Sequence, residues 1–222
     1  MERQDPEQKK FDTLRNDLDA ALVSDALDIL GYHKQVMSAQ VRPLYDDATV
    51  VGRARIVIAH EIDNFSDHSY LSFLDFINSL KSNDVIVISD HSNMRYGLCG
   101  ELLAGAAQLR GATGMISDGA LRDIRQLADL KFPTFAAGIN MSVPIGRATV
   151  LINASNAICG DVLVNSGDIV FGDKDGVVII PQGISDQAIS LAAEVKEKEG
   201  LFRERLMKGD DVRGSHDEIL GP

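Results

Sequence analysis

The chain has 222 residues, of which 45% are hydrophobic and 25% charged, and its formal net charge is −11. A chain of this length can bury a sizeable core within one compact domain. The acidic balance argues against a nucleic-acid partner, because phosphate contacts need concentrated lysine and arginine. It does not exclude an acidic small molecule, since one arginine and one cation create a local positive site in a negative protein.

The cysteines and the N-terminus indicate the compartment. Cys99 and Cys159 lie among apolar or small residues without a CxxC spacing, so we expect buried, reduced thiols. The N-terminus lacks the apolar segment of a secretion signal. No apolar run approaches the ~18 residues of a membrane span. These features predict a cytoplasmic protein with no membrane partner.

The first part of the chain is predicted to be helical. Residues 1–10 are polar and are expected to form a disordered N-terminal arm. Apolar residues then recur at helical spacing over residues 11–30, which predicts one or two amphipathic helices. Ser24 and Asp25 are candidate N-caps of the second helix, and Gly31 is its candidate stop.

Strands and helices alternate through the middle of the chain, and strands dominate afterwards. The predicted strands are 50–59, 84–89, 114–118, 132–138, 148–152, 157–164 and 168–181, and the predicted helices are 70–80, 100–110, 122–130 and 185–208. Leu74 is expected to face the core from the first of these helices, and Leu102 and Leu109 from the second. Asp175-Gly176 predicts a hairpin turn, and the last dozen residues are expected to be a polar tail. The pattern predicts a layered α/β fold.

A polar cluster between residues 60 and 68 has two interpretations. His60, Glu61, Asp63, Asn64 and His68 are residue types that can ligate a metal. Their spacing matches no established ligand pattern. A polar loop ahead of the next helix explains them, and we favour that interpretation.

The segment Gly100-Glu101-Leu102-Leu103 is a candidate anion site. Amide N–H groups at a helix N-terminus are unpaired and lie at the positive end of the helix dipole, so they bind carboxylates. Glycine at position 100 lets a ligand approach the backbone closely. We therefore expect the amides of Gly100, Glu101, Leu102 and Leu103 to bind a carboxylate.

Arg122-Asp123 is a candidate catalytic pair. Aspartate supplies a hard oxygen ligand suited to Mg²⁺ or Mn²⁺, and arginine offers a rigid, permanently charged fork for a carboxylate or an enolate oxygen. Two structural interpretations remain open for these residues alone, namely a surface ion pair and a carboxylate placed favourably at a helix N-terminus.

The spacing acid-x20-Arg-Asp formed by Glu101, Arg122 and Asp123 resembles the signature of the 4-hydroxy-4-methyl-2-oxoglutarate / 4-carboxy-4-hydroxy-2-oxoadipate aldolases, which share a fold with the regulator of ribonuclease activity A. The resemblance covers most of the chain. Its blocks, in order, are Ser24-Asp25-Ala26-Leu27-Asp28, Val51-Gly52-Arg53-Ala54, Gly100-Glu101-Leu102-Leu103, Asp118-Gly119-Ala120-Leu121-Arg122-Asp123, Phe132-Pro133-Thr134-Phe135 and Gly167-Asp168-Ile169-Val170 with Asp173, Asp175-Gly176-Val177-Val178 and Pro181. In the family the first acid is often aspartate, whereas this chain has the longer Glu101.

The resemblance implies an αββαβ swivelling-domain sandwich with a β-rich second half and a C-terminal helix. It implies a catalytic domain over residues 11–185, with residues 186–222 packing on a neighbouring subunit of a homotrimer or a dimer of trimers. It further implies Mg²⁺ or Mn²⁺ on Asp123, and a 2-oxo acid held by Arg122 and the amides of residues 100–103. Glu101, or an acid of a neighbouring subunit (Glu197 or Glu199), would orient a metal-bound water.

The activity that the resemblance implies is a metal-dependent aldol cleavage of 4-hydroxy-2-oxo acids to pyruvate and a second 2-oxo acid. Oxaloacetate decarboxylation would be a side activity, because it passes through the same pyruvate enolate. Two alternatives stay open at the level of sequence. One is a non-catalytic regulator that binds a ribonuclease complex, and the other is a lyase of the same fold for a different 2-oxo acid.

Overall fold

The computed structural model describes residues 6–65 and 69–221 as a layered α/β fold. The helices are α1 (Pro6–Asp17), α2 (Ala20–Ile29), α3 (Ser72–Asn78), α4 (Glu101–Leu109), α5 (Ile124–Leu130), α6 (Ser185–Met207) and α7 (Val212–Ile219). The strands are β1 (Arg42–Pro43), β2 (Val50–Glu61), β3 (Asp84–Ser89), β4 (Gly114–Leu121), β5 (Thr134–Ile139), β6 (Ala148–Ala154), β7 (Asn156–Cys159), β8 (Val162–Asn165), β9 (Ile169–Asp173) and β10 (Gly176–Ile180).

Among the described residues, eight strands form one mixed sheet in the order β1-β5-β4-β3-β2-β9-β10, with β6 also paired to β2. Strands β2, β3, β4 and β5 run parallel, so their carboxyl ends meet at one edge of the sheet. The long β2 pairs antiparallel with β9 over its first residues and with β6 over its last. A register shift between Ile56 and Val57 accompanies this change of partner.

Burial explains the apolar runs of the sequence. Every residue of β3 and of β4 is buried, as expected for central strands covered on both faces. Helices α3, α4 and α5 contribute to one core cluster on the sheet, and helices α1, α2 and α6 contribute to another with β9 and β10. The β7–β8 hairpin closes a third cluster through Cys159 and Val164.

The hairpins agree with the sequence. Strands β9 and β10 pair antiparallel, with Gly176 opposite Asp173, which confirms the predicted hairpin. The two residues between them are Lys174 and Asp175, one position earlier than expected. In the β7–β8 hairpin, Gly160 and Asp161 both have positive φ, the backbone that a tight type I′ connection requires.

The two ends of the chain contain more helix than the sequence indicated. The arm predicted over residues 1–10 is wrong for residues 6–10, because α1 begins at Pro6, a residue preorganised for a first helical turn. The predicted polar tail is wrong for Val212–Ile219, which form α7. Asp211 caps this helix by accepting a hydrogen bond from the amide of Gly214.

The helix faces also differ in part. Leu102 and Leu109 are 78% and 90% exposed, so their expected place in the core is wrong, and Leu74 is exposed as well. Helix α4 instead buries Ala104 and Ala107, whose small side chains let it approach its neighbours closely. No helix among the described residues combines the length and the apolar character needed to cross a bilayer.

The start of α2 gives a test of the fold. Asp19, and neither Ser24 nor Asp25, is its N-cap, and its side chain accepts a hydrogen bond from the amide of Leu22 at 2.9 Å. Asp19→Ala should lower the free energy of unfolding by about 1 kcal/mol, measured by urea denaturation at pH 7.

Asp25→Ala is the matched control for this experiment. Partial burial and the neighbouring carboxylates of Asp28 and Asp19 raise the pKa of Asp25, so its charge is not favoured in the folded protein. Its removal should leave stability within about 0.5 kcal/mol or increase it. An equal loss in both variants would contradict the assignment of the cap.

Candidate functional site

The candidate site lies where the parallel strands end. Ligands of α/β proteins bind at the carboxyl edge of such strands, because the connecting loops there present backbone groups and polar side chains. Residues 90–100 leave β3 at this edge and return along the end of β4 before α4 begins. We call this segment the return loop.

Backbone pairing aligns the return loop with β4. The amide of Ala120 donates to the carbonyl of Asn93, and the amide of Leu98 donates to the carbonyl of Ala120. The amide of Arg122 then donates to the carbonyl of Cys99 at 3.0 Å. This ladder brings Gly100 beside Arg122 and Asp123, as the sequence predicted for a shared site.

Gly100 is the N-cap residue of α4, and only glycine fits there. A Cβ at this position would lie 2.1 Å from Oδ2 of Asp123 and 2.9 Å from Cγ of Arg122. Such distances are far below van der Waals contact, so any side chain would displace the pair. The requirement for glycine therefore arises from close approach to Asp123.

Asp123 occupies a constrained position. Its backbone is left-handed, with φ 61° and ψ 39°, at the start of α5. The amide of Glu101 donates to its Oδ2 at 3.3 Å, and Nε of Arg122 donates to its Oδ1 at 3.3 Å. Both side chains are 30% exposed. A left-handed conformation is uncommon for a residue with a side chain and is often found at functional sites.

The other predicted residues occupy the first turn of α4. Glu101 is half-buried and Leu103 packs partly against the core, whereas Leu102 is exposed. The backbone amides of Gly100, Leu102 and Leu103 have no side-chain partner among the described residues. The amide of Glu101 donates a hydrogen bond to Asp123. Gly100 and the amide of Glu101 therefore lie against Asp123, at the helix end where a carboxylate cradle is expected.

These residues fit a hard divalent cation. No three His, Cys, Asp or Glu side chains within residues 6–65 and 69–221 converge as a metal site. Mg²⁺ and Mn²⁺ need no such cluster, since one or two carboxylates commonly hold them while water and substrate oxygens complete the coordination shell. Asp123 supplies one partly exposed carboxylate whose oxygens keep free lone pairs.

The cysteine beside the site is a buried thiol. Cys99 is buried and free, and Cys159 is buried and free elsewhere, which confirms the expectation of unpaired, buried thiols. Burial raises the pKa of the Cys99 thiol to about 12, so it stays protonated at neutral pH.

The polar cluster of residues 60–68 is part of the fold around the site. His60 stacks on His91 with 5.4 Å between ring centroids, and Glu61 pairs with Arg95 and Asn93. His60 and Glu61 are the last two residues of β2, so the loop interpretation is wrong for them, whereas Asp63 and Asn64 lie in the loop that follows the strand. His68 lies outside the described residues.

Two buried acids were missed by sequence reasoning. Asp118 lies inside the fully buried β4, where its carboxylate accepts from the amides of Asp90 (2.6 Å) and Gly160 (3.3 Å). Asp90, assigned only to a polar loop, is 2% exposed and accepts a hydrogen bond from the Tyr96 hydroxyl at 2.7 Å. The available signal was an acid within or directly after an apolar strand, because a buried carboxylate needs partners.

Burial raises the pKa of both acids. The pKa of Asp90 is raised to about 7, with burial the largest cause, followed by the Tyr96 hydrogen bond, which lowers it, and nearby Asp118 and Glu61, which raise it. The pKa of Asp118 is raised by burial against the opposing effect of its amide donors. Asp90 is the first residue of the return loop, and Asp118 binds its amide.

Glu197 and Glu199 lie on α6. Glu197 is exposed and Glu199 half-buried, and α6 packs against α1, α2 and α7. Their placement at the site of a neighbouring subunit stays a prediction.

A family model and a relative of similar sequence each match most of this chain. The RraA-like family model, described as Aldolase/RraA, matches residues 20–179. A protein of Halalkalibacterium halodurans, provisionally named a 4-hydroxy-4-methyl-2-oxoglutarate aldolase, is 32% identical over 206 residues, or 90% of each chain.

Solved structures share the fold. A crystal structure from Pseudomonas syringae pv. tomato superposes with a TM-score of 0.84 at 24% identity, covering 94% of this chain and 93% of that one. RraAS2 of Streptomyces coelicolor, described as an unusual member of the RNase ES inhibitor RraA protein family, gives 0.80 at 22% identity, covering 91% and 100%.

The fold and the site therefore define an α/β protein of the swivelling-domain type, in which the start of α4 lies against an Arg-Asp pair. The chain belongs to the RraA-like (Aldolase/RraA) family.

The close approach at Gly100 gives a test of the site. Gly100→Ala should destabilise the protein by about 1–3 kcal/mol, because the new methyl group must displace Asp123 or the start of α4. Gly105→Ala in the same helix is the matched control, since a Cβ there meets only Leu130 at 3.7 Å. We expect it to be neutral or stabilising by up to about 1 kcal/mol in denaturant unfolding. Equal effects would show that position 100 is not sterically constrained.

Proposed function

We propose that this protein is a divalent-metal-dependent lyase that cleaves 4-hydroxy-2-oxo acids, such as 4-hydroxy-4-methyl-2-oxoglutarate, to pyruvate and a second 2-oxo acid. The observation that carries the proposal is the contact between the first turn of α4 and Arg122-Asp123. A cradle for one carboxylate, a guanidinium and a hard metal ligand meet there. Family membership and the aldolase name of the H. halodurans relative support the same class of reaction.

Each residue has a defined task in this proposal. The amides of residues 100–103 bind the substrate carboxylate, which orients the 2-oxo group toward Arg122. The guanidinium of Arg122 donates to the oxygen that becomes negative as the bond breaks. A divalent cation held by Asp123 would polarise the 2-oxo group when bound.

The bond changes follow from the substrate. Removal of the C4 hydroxyl proton lets the C3–C4 bond break, and its electron pair moves into a pyruvate enolate facing Arg122. Protonation at C3 then gives pyruvate. Glu101, at the start of α4, is the candidate to assist removal of the hydroxyl proton, and Glu197 or Glu199 of a second copy is the alternative. Oxaloacetate would lose carbon dioxide through the same enolate.

The assembly and its compartment complete the proposal. We expect a homotrimer or a dimer of trimers in the cytoplasm, with residues 186–222 packed on a neighbouring subunit. Light scattering of the purified protein measures the first expectation directly.

A second candidate function is regulation of a ribonuclease. RraAS2 of S. coelicolor, a protein of the same fold, is described as an unusual member of the RNase ES inhibitor RraA protein family. The Arg-Asp pair favours the lyase, since binding a protein partner requires no metal ligand beside an arginine. A coupled assay for pyruvate over several 4-hydroxy-2-oxo acids and oxaloacetate, with and without Mg²⁺, separates the two. Absence of pyruvate across the panel would leave the regulatory function or another substrate.

Asp123→Ala should abolish Mg²⁺-dependent pyruvate release, because it removes the proposed metal ligand. The matched control is Asp129→Ala, which removes an exposed carboxylate from the same helix α5 and should keep wild-type activity. Turnover by Asp123→Ala that EDTA still inhibits would place the metal elsewhere.

Arg122→Lys should lower kcat by about 10²- to 10³-fold, since an ammonium cannot reproduce the planar fork of a guanidinium. Arg125→Lys provides the control, because Arg125 is exposed on α5. If Arg122→Lys released pyruvate at a near-normal rate, the arginine would have no role in the chemistry.

A further inference from the structure

We infer that Tyr96 and Asp90 are a positioning pair that holds the return loop, and through it the carboxylate cradle, in register with Arg122. The inference rests on the proposed function for its effect on substrate binding, but the positioning itself can be measured without substrate. The pair lies outside the set of residues that would touch substrate or metal.

The return loop begins with a constrained reversal. His91 and Ser92 have φ values of 52° and 59°, so two consecutive residues with side chains adopt the left-handed region. Such a backbone is strained in a residue with a side chain, and it persists only where surrounding contacts enforce it. The amide of Asp90 is held by Asp118, and the amide of Asn93 donates to the carbonyl of Asp90.

Tyr96 connects this reversal to the cradle. Its side chain is fully buried, and its hydroxyl donates to Oδ1 of Asp90 at 2.7 Å. Two residues later the amide of Leu98 pairs with the carbonyl of Ala120, and the carbonyl of Cys99 accepts from the amide of Arg122. The tyrosine therefore links the first residue of the loop to the segment that delivers Gly100.

One oxygen of the Asp90 carboxyl group is unfavourable for stability. Its Oδ2 is the one buried side-chain nitrogen or oxygen without a hydrogen-bond partner among the described residues. An unsatisfied buried polar group is unfavourable, so an apolar residue at this position would give a more stable core. Space for this carboxyl comes from Gly119, where a Cβ would lie 2.7 Å from Oδ2.

The titratable groups around Asp90 include both acids and histidines. Its pKa of about 7 means that its charge changes within the usual assay range. A hydrogen bond to a charged acceptor is roughly twice as strong as a neutral one, so the Tyr96 contact is strongest when Asp90 is ionised. The titratable groups near it are Asp118 of β4, His60 and Glu61 of β2, and His91 and Tyr96 of the loop itself.

The first experiment is native-state hydrogen exchange of the Leu98 and Arg122 amides, without metal or substrate. Tyr96→Phe should make exchange about tenfold faster at both amides, because it removes one buried hydrogen bond to a carboxylate. The control is Thr134→Val, which removes a buried hydroxyl that donates to Phe132 at the start of β5. In this control, the exchange rates of the Leu98 and Arg122 amides should change by less than twofold once the change seen across the rest of the sheet has been subtracted.

The second experiment measures pyruvate formation from pH 5.5 to 8.5 with Mg²⁺. Tyr96→Phe should raise KM by about three- to tenfold with kcat within twofold, as expected when ground-state and transition-state binding weaken together. Its hydroxyl lowers the pKa of Asp90, so its loss should move the acidic limb of the KM profile to higher pH.

Asp90→Asn keeps an oxygen that can accept the hydrogen bond from the Tyr96 hydroxyl, but the amide side chain cannot ionise. We expect slow exchange at Leu98 in this variant and a KM that no longer changes between pH 6 and 8. The variant also carries the test if Tyr96→Phe fails to fold. Asp90→Ala, which removes the acceptor, should match Tyr96→Phe in its faster exchange and higher KM, but its KM should show no pH limb because alanine does not ionise.

The outcomes are distinguishable. Unchanged exchange at Leu98 and Arg122 in Tyr96→Phe, or a retained pH limb in Asp90→Asn, would overturn the positioning role. If the wild-type protein releases no pyruvate, the proposed function is overturned. The exchange data would still decide whether the Tyr96–Asp90 pair holds the return loop.

Discussion

The candidate site depends on a short backbone ladder between the return loop and the end of β4. Two amide-to-carbonyl hydrogen bonds, from Leu98 to Ala120 and from Arg122 to Cys99, bring the first turn of α4 against the Arg-Asp pair. The packing there is tight, since there is no space for a methyl group at position 100. Because backbone pairing is independent of side-chain rotamers, it supports the site more rigidly than a set of surface ion pairs could.

Rigidity at the site coexists with local strain and with buried charge. Asp123, His91 and Ser92 all adopt left-handed backbone, and Asp90 and Asp118 are carboxyl groups enclosed near the ends of central strands. Such features reduce stability, so they persist where the surrounding fold enforces them. The fully buried strands β3 and β4 provide that enforcement, since their apolar side chains pack on both faces of the sheet.

Much of this arrangement could be predicted from sequence because it follows from local patterns. Continuous apolar runs predicted β3 and β4, glycine predicted the end of α2, and Glu101 with Arg122-Asp123 predicted a shared site. The misses were of two kinds. The cap of α2 was a local one, because Asp19, Ser24 and Asp25 are all residue types that cap helices. The burial of Asp90 was a long-range one, because its amide donates to Asp118, which is distant in sequence. Leu102 was assigned to the core because helical spacing does not say which neighbours lie close enough to cover a side chain.

The second oxygen of Asp118 has a consequence for how this chain can vary. It accepts a hydrogen bond from Gly160, which belongs to the turn of the β7–β8 hairpin, while its first oxygen holds Asp90. Surface hairpins usually tolerate insertions and deletions in their turns. In this chain one carboxyl group joins such a turn to the first residue of the return loop. A change in the length of the turn would therefore remove a hydrogen-bond donor from a buried acid, and we expect this hairpin to tolerate such changes less well than a surface hairpin usually does.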